Sequence, residues 1–315
     1  MKEFEDCQLC PRKCHVNRHN AVGFCGVSDT VKLARAALHY MEEPCISGTS
    51  GSGTVFFGGC NLKCVYCQNY RLSHENYGVE VSVENLSEIF LELQRMGANN
   101  INLVTGVMYI PQIMQAIDLI RKRLTIPIVY NSSGYENAET IRLLKGYIDI
   151  YLVDIKYYDD LYAIRYSGVK DYFGCTVEAV REMLHQQQRP VFFEGKTFDD
   201  ETALLQSGVI IRHLVLPGLR QDSIRILRYL AEAFDKDSYL LSIMSQFTPV
   251  YRCSEYKEIN RRVTTFEYDS VVKEALRLGM DNTYIQGRDS VGTEYTPDFE
   301  NRGILSRYDS QVSQL

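Results

Sequence analysis

Three cysteines, Cys60, Cys64 and Cys67, follow directly on the apolar run Val55-Phe56-Phe57. They lie in the stretch Gly58-Gly59-Cys60-Asn61-Leu62-Lys63-Cys64-Val65-Tyr66-Cys67-Gln68-Asn69. Thiolates placed so closely on one loop bend back toward a common point and converge on a metal centre. They are one fewer than the four that usually close an iron-sulfur cluster, so a cluster held here would keep one iron open to a ligand that is not protein. Presenting three ligands to one point requires a scaffold that fixes both ends of the loop.

A ladder of strands and helices follows the loop. Apolar residues at Val83, Leu86, Ile89, Phe90, Leu93 and Met96 have the spacing of one helical face, ended by Gly97. Short apolar runs near 54, 101, 127, 148, 209 and 239 read as strands, separated by helices over 110–124, 138–144 and 222–234. Such alternation implies parallel pairing through crossover units, an α/β architecture. The stretch 159–188 reads as mostly helical, broken near Gly168 and Gly174, and Pro190 to Phe193 opens a hairpin returning through Val209 to Leu216. A further helix is expected over 265–278 and a short strand over 282–285, while Asp29 to His39 reads equally as strand or helix.

In parallel α/β barrels ligands gather at the carboxyl ends of the strands. Those ends carry Cys60 to Cys67, Thr105-Gly106, Asn131-Ser132-Ser133-Gly134, Asp154-Ile155-Lys156, His213 to Pro217 and Ser245-Gln246. Metal-binding and polar residues thus fall together on one rim.

The formal charge of −6, from 34 basic and 40 acidic residues with no basic run, weighs against a nucleic-acid partner. No segment has the roughly 18 consecutive apolar residues of a membrane span, and the charged opening residues do not read as a signal peptide. A cytoplasmic location is expected, where ten clustered cysteines hold metal more often than they pair. Cys7, Cys10, Cys14 and Cys25 would form a closed site for zinc or a second iron-sulfur cluster, the other reading being free buried thiols. Boundaries are expected at 1–50 for this cysteine-rich N-terminal extension, 51–287 for the barrel and 288–315 for a C-terminal tail.

The cysteine pattern, with Tyr66 just before the last cysteine, resembles the motif of the radical S-adenosylmethionine (SAM) superfamily. Glu42-Glu43-Pro44-Cys45-Ile46-Ser47-Gly48, Cys67-Gln68-Asn69-Tyr70, Asn102-Leu103-Val104-Thr105, Arg212-His213-Leu214-Val215-Leu216-Pro217-Gly218 and Met244-Ser245-Gln246 further resemble the PflX-like branch of pyruvate formate-lyase activating enzyme homologues. The resemblance implies a partial (β/α)6 TIM-like barrel with a 4Fe-4S cluster on Cys60, Cys64 and Cys67. SAM would be cleaved there to a 5′-deoxyadenosyl radical that abstracts hydrogen from a substrate. It further implies an electron donor such as flavodoxin or ferredoxin, and a target that is a glycyl residue of a partner enzyme, a peptide or a small molecule.

Carried over by position, the resemblance places Tyr66 near the adenine and Thr105-Gly106 at the methionine amine. Ser132 or Ser133 would meet the ribose or carboxylate, Asp154 and Lys156 match an Asp-x-Lys pair, and Val215 with Leu216 flanks the adenine. Thr105-Gly106-Val107-Met108-Tyr109 departs from the Gly-Gly-Glu-Pro segment of the superfamily. Plainer readings stand beside these: Ser132-Ser133-Gly134 as a cap, Asp154 with Lys156 as a structural pair, His213 as a core histidine, the tyrosines as packing. A non-catalytic metal-binding protein is the competing functional class.

Overall fold

The computed structural model describes residues 2–286 and 299–304. Its strands are β1 (Val31–His39), β2 (Ser52–Phe57), β3 (Val79–Val81), β4 (Ile101–Val104), β5 (Ile128–Ser132), β6 (Ile150–Asp154), β7 (Val191–Phe192), β8 (Leu205–Leu214), β9 (Leu240–Met244) and β10 (Thr283–Ile285). The main order is β10-β9-β8-β6-β5-β4-β2-β1-β3, with β7 hairpinned onto β8. From β2 to β10 every neighbour pair on this path is parallel, and β1 is antiparallel to both β2 and β3. The fold is therefore α/β, a partial TIM-like barrel whose sheet does not close on itself among the described residues.

The undecided stretch at 29–39 is the strand that extends the sheet beyond β2. Its Lys32 and Arg35 blur the alternation that marks a strand. Residues 31–47, counted with the N-terminal extension from sequence, thus contribute a strand and a short helix to the barrel itself. Of the expected tail, only 299–304 lies among the described residues; Phe299 packs edge-on against Phe56 at 5.3 Å between ring centres.

Parallel strands buried on both faces separate two cores. The outer face carries Leu103, Tyr130, Tyr151, Val153, Val209, Ile211 and Ile243 into the main core beneath the helices. There the helix Val83–Arg95 buries Leu86, Ile89, Phe90 and Leu93, and Ser82 caps it through the Asn85 amide. The inner face carries Val129, Ile150, Leu152, Ile210 and Leu240 onto Cys45 and Ile46 of the short helix Pro44–Ser47. That helix plugs the amino-terminal end of the barrel. Asn100 donates to the Ile46 carbonyl at 2.8 Å and Asn99 to that of Ser47 at 2.6 Å, so the plug's free carbonyls are satisfied.

The expected helical break at Gly168 is present, with a left-handed φ of 64° closing the helix Asp160–Ser167. The break expected at Gly174 is not: this residue lies inside the helix Tyr172–Gln187. A Cβ there would meet only the Asp171 carboxylate, at 2.3 Å, the end of a side chain that can turn away.

Candidate active site

The cysteine loop leaves β2 through Gly59, whose φ is +84° and whose Cβ would meet Val27 Cγ1 at 2.6 Å, so only glycine fits the turn. Backbone bonds then sew the loop down: Lys63 to the Ser167 carbonyl at 3.1 Å, Val65 to that of Tyr166 at 2.8 Å, and Arg252 to that of Val65 at 3.0 Å. Each sulfur has a polar neighbour. The Leu62 amide donates to Cys60 Sγ at 3.4 Å, the Ser73 hydroxyl to Cys67 Sγ at 3.2 Å, and the Ser167 hydroxyl sits 3.0 Å from Cys64 Sγ.

Burial pushes the Cys60 thiol up to about 12 and that of Cys67 to about 11, and raises Cys64 as well. Thiols so placed become thiolates only when a cationic centre binds them. Amide and hydroxyl donors at the sulfurs suit such thiolates, so the donor set fits an iron-sulfur cluster on three cysteines. Among the described residues no three His, Cys, Asp or Glu side chains gather as ligands of a single metal ion.

Beside the cysteines the inner face of the sheet opens into a cleft of about 510 Å³. Cys64, Tyr66 and Cys67 form part of its wall, with Phe56, Val104, Leu214, Met244 and Phe247 supplying apolar surface. Tyr66 is anchored: its hydroxyl meets that of Tyr157 at 2.6 Å, which meets the Ser167 hydroxyl at 2.8 Å. A buried chain of hydroxyl contacts therefore joins Tyr66 to the Cys64 sulfur through Tyr157 and Ser167.

Arg212, nearly buried, organises the polar part of the cleft. Its Nε donates to Asp154 at 2.8 Å, Nη1 to Glu42 at 3.1 Å and Nη2 to Asn131 at 2.8 Å, while Glu43 lies 3.9 Å from Nη1. Parallel register sets Asp154 directly opposite Arg212, and Arg212 opposite Ser242. Lys156 Nζ donates to the other Asp154 oxygen at 2.5 Å. Burial opposes the Asp154 charge, but Arg212 and Lys156 outweigh it and hold the carboxyl below its ordinary value. Burial likewise opposes the Lys156 charge, and Asp154 with Tyr172 and Cys64 overcomes it, keeping the ammonium protonated. For Glu42 and Glu43 burial prevails and both carboxyls are pushed up.

The structure brings Cys64, Tyr66, Cys67, Asp154 and Lys156 to this one cleft. Cys60 is buried beside it, within electrostatic reach of Cys64 and Cys67. The other expected residues face elsewhere. Ser132 bonds Glu136 at 2.5 Å and accepts from the Gly134 amide at 3.0 Å, and the Ser133 carbonyl accepts from the Tyr172 hydroxyl at 2.7 Å. Val215 is fully buried in the outer core, and Leu214 takes the cleft position. Thr105 turns the chain with a φ of 60°, unusual for a β-branched residue, and Gly106 packs where a Cβ would meet Ile113 at 2.9 Å. His213 gives its Nδ1–H to the Ile155 carbonyl at 2.7 Å, and burial lowers it to about 4, so it is a neutral core histidine.

Sequence reasoning placed Asn131 on the rim and Arg212, Glu42 and Glu43 within resembling motifs, but gave none of them a role. The available signal was a lone arginine inside the apolar run Val209 to Leu216, and a carboxylate pair immediately before the buried plug.

In the extension, Cys7, Cys10, Cys14 and Cys25 line one small cavity with Arg12 and Phe24. Burial pushes Cys10 up to about 12, although the Arg12 amide donates to it, and raises Cys25, which receives the Val27 amide. Arg12 ties this head to the cysteine loop, donating to the Asn61 carbonyl at 3.0 Å and the Gly168 carbonyl at 2.8 Å while stacking on Phe24.

Residues 54–202 match the family described as the Radical SAM superfamily. The chain carries a radical SAM domain. An uncharacterized protein of Methanocaldococcus jannaschii is 29% identical over 291 residues, covering 89% of this chain and 77% of that one. The pyruvate formate-lyase-activating enzyme of Clostridium pasteurianum is 29% identical over 133 residues, 41% of this chain and 56% of that enzyme. Among solved structures, methylornithine synthase aligns with a TM-score of 0.48 at 14% identity, covering 80% of this chain and 79% of its own. The FeFe-hydrogenase maturase HydG from Carboxydothermus hydrogenoformans aligns at 0.47 and 16%, covering 81% and 63%. Radical SAM enzymes use a 4Fe-4S cluster and SAM and need a reductant, and the match over 54–202 implies the same cofactors here.

Proposed function

We propose that this radical SAM enzyme abstracts hydrogen from a substrate admitted to the cleft between the cysteine loop and Arg212. The observation that carries the reading is the meeting of Cys64, Cys67, Tyr66, Asp154 and Lys156 on one cleft wall. When bound through Cys60, Cys64 and Cys67, a 4Fe-4S cluster with SAM supplies reductive cleavage of the sulfonium and a 5′-deoxyadenosyl radical. Lys156 offers an ammonium to a carboxylate, and Asp154 keeps it protonated. Tyr66 and Phe247, 5.7 Å apart edge to face, offer aromatic surface to an adenine ring. The apolar wall of Phe56, Val104, Leu214 and Met244 excludes water from the reacting centre.

A glycyl residue of a partner enzyme is one target, supported by the partial match to the pyruvate formate-lyase-activating enzyme and by the motifs that resemble its PflX-like homologues. Radical modification of a small molecule or peptide is the second, favoured by the charged floor of the cleft, since a bare glycine offers those side chains no partner. Reduced flavodoxin or ferredoxin in the cytoplasm would supply the electron. The head is proposed to hold zinc or a second iron-sulfur cluster on Cys7, Cys10, Cys14 and Cys25, supported by their shared cavity, and a single zinc ion would draw the four sulfurs closer together than they stand. Metal analysis of a Cys7→Ser, Cys10→Ser variant checks it, with loss of one metal centre expected and an unchanged metal content against it.

Electron paramagnetic resonance of the anaerobically reconstituted, reduced protein tests the main reading. SAM is expected to change the cluster signal in the wild type. Cys64→Ala is expected to lack the SAM-responsive signal. A signal indifferent to SAM would refute the proposal.

A further inference from the structure

Three carboxylates and two cations share the floor of the cleft: Glu42, Glu43 and Asp154 against Arg212 and Lys156. The cations are already committed. Arg212 spends its donors on Asp154, Glu42 and Asn131, and Lys156 is bound to Asp154. With all the groups ionised, one negative charge is left over in a site closed to bulk water on the sheet side. Glu43 is the group left short. It is more than nine-tenths buried, lines the cleft, and its Oε2 makes no hydrogen bond. The nearest cation is Arg212 Nη1 at 3.9 Å, beyond hydrogen-bond distance.

An unmatched buried carboxylate is costly and is neutralised either by a proton or by a cation that fits beside it. The position is fixed by the fold: Pro44 starts the plug helix immediately after Glu43, and Asn102 and Asn131 hold the neighbouring Glu42 at 3.2 and 3.4 Å. This is a rigid acidic pocket on structured elements, the form a specificity-determining subsite takes.

The acidic pocket and the cysteines Cys64 and Cys67 line the same cleft. The charges that act on Cys64 are those of Lys156 and Asp154, whereas those that act on Glu43 are Arg212 and Glu42. Contacts from Lys156 to Asp154, Asp154 to Arg212 and Arg212 to Glu42 thus join the part of the cleft that acts on Cys64 to the glutamate pair. A substrate held by its cationic end at Glu43 would extend back toward the cysteine loop.

We propose that Glu43, steadied by Glu42 and Arg212, is the recognition site for an ammonium or guanidinium group of the substrate, so that the enzyme acts on an amine-bearing small molecule or peptide side chain. The inference rests on the radical SAM reading and names the substrate class for that cleft. The groups facing Glu43 are Glu42 and Cys45 from its own segment, Arg212 from β8, Ser242 from β9 as a hydrogen-bond partner, and Tyr284 from β10.

The test is isothermal titration calorimetry on the anaerobically reconstituted protein with SAM present. The probes are matched pairs of equal length: N-acetyl-lysine amide against the amide of N-acetyl-2-aminoheptanoic acid, and propylguanidine against propylurea. At least one cationic member is expected to bind tenfold or more tightly than its neutral partner, with a proton released on binding. Glu43→Gln is expected to erase that preference while leaving SAM affinity within twofold. Equal binding of cationic and neutral members, a preference that survives in Glu43→Gln, or loss of SAM binding in that variant would each overturn the proposal. Failure of the radical SAM reading itself is distinguished by a wild-type cluster signal that does not respond to SAM.

Discussion

Replacing Arg212 by Gln keeps a hydrogen-bonding side chain but removes the positive charge from a site where three carboxylates depend on it, at 2.8, 3.1 and 3.9 Å. A charge pair about 4 Å apart is worth about 4 kcal/mol at an effective dielectric near 20, before desolvation is counted. Breaking a buried pair by removing one partner costs about 3–5 kcal/mol, and that is the loss expected for Arg212→Gln at pH 8. The loss should shrink toward low pH, and the sign follows from the three groups. Asp154, held below its ordinary value, contributes stability above its unfolded value and loses it as pH falls through the folded one. Without Arg212 that contribution is missing only where Asp154 would be ionised. Glu42 and Glu43, raised by burial, are least costly when protonated, and without Arg212 their ionisation at higher pH costs more still. Asp154 is fully ionised across this range, so its share of the deficit is constant there, and the growth with pH comes from Glu42 and Glu43, bringing the deficit to its full value at pH 8. Equilibrium urea unfolding of wild type and variant at pH 5, 6.5 and 8 measures this. A deficit below about 1 kcal/mol at pH 8, or one that does not change with pH, would refute the argument that Arg212 balances this site.

Ile46→Ala empties a fully buried position between the plug and the inner strands, with an expected loss of about 2–5 kcal/mol in urea unfolding. Gly134→Ala combines a φ of +85° with a Cβ only 2.2 Å from the Asp154 carbonyl, so it should cost about 2–4 kcal/mol and weaken SAM binding by calorimetry as Asp154 shifts. Thr264→Ala removes one side of a capping box closed by Glu267 and should lower stability by about 1 kcal/mol while leaving SAM binding unchanged.

Much of the barrel was legible because its parallel strands are buried on both faces and read as plain apolar runs, as in Ile101–Val104 and Ile150–Asp154. The strand Val31–His39 was not, because it extends the sheet antiparallel beyond β2 and carries charges that interrupt its alternation. At the site, the cysteine loop was readable from local spacing, and the Asp154–Lys156 pair from its place at a strand end and its resemblance to an Asp-x-Lys pair. The strand ends were read one residue late. Thr105, Ser132 and Val215 were chosen where Val104, Asn131 and Leu214 face the cleft, and a shift of one residue turns a side chain to the opposite face of the sheet. The Arg212–Glu42 contact joins residues 170 apart in sequence, and no local pattern reports a pairing that only the assembled sheet creates.

Central to the account is that Cys60, Cys64 and Cys67 hold a cluster that cleaves SAM beside Tyr66 and Lys156. Anaerobic reconstitution with iron and sulfide, reduction in the presence of SAM, and quantification of 5′-deoxyadenosine by mass spectrometry test this directly. The account predicts accumulation of 5′-deoxyadenosine by the wild type and none by Cys64→Ala; absence of the product from a fully reconstituted, reduced wild type, or its survival in the variant, would contradict it.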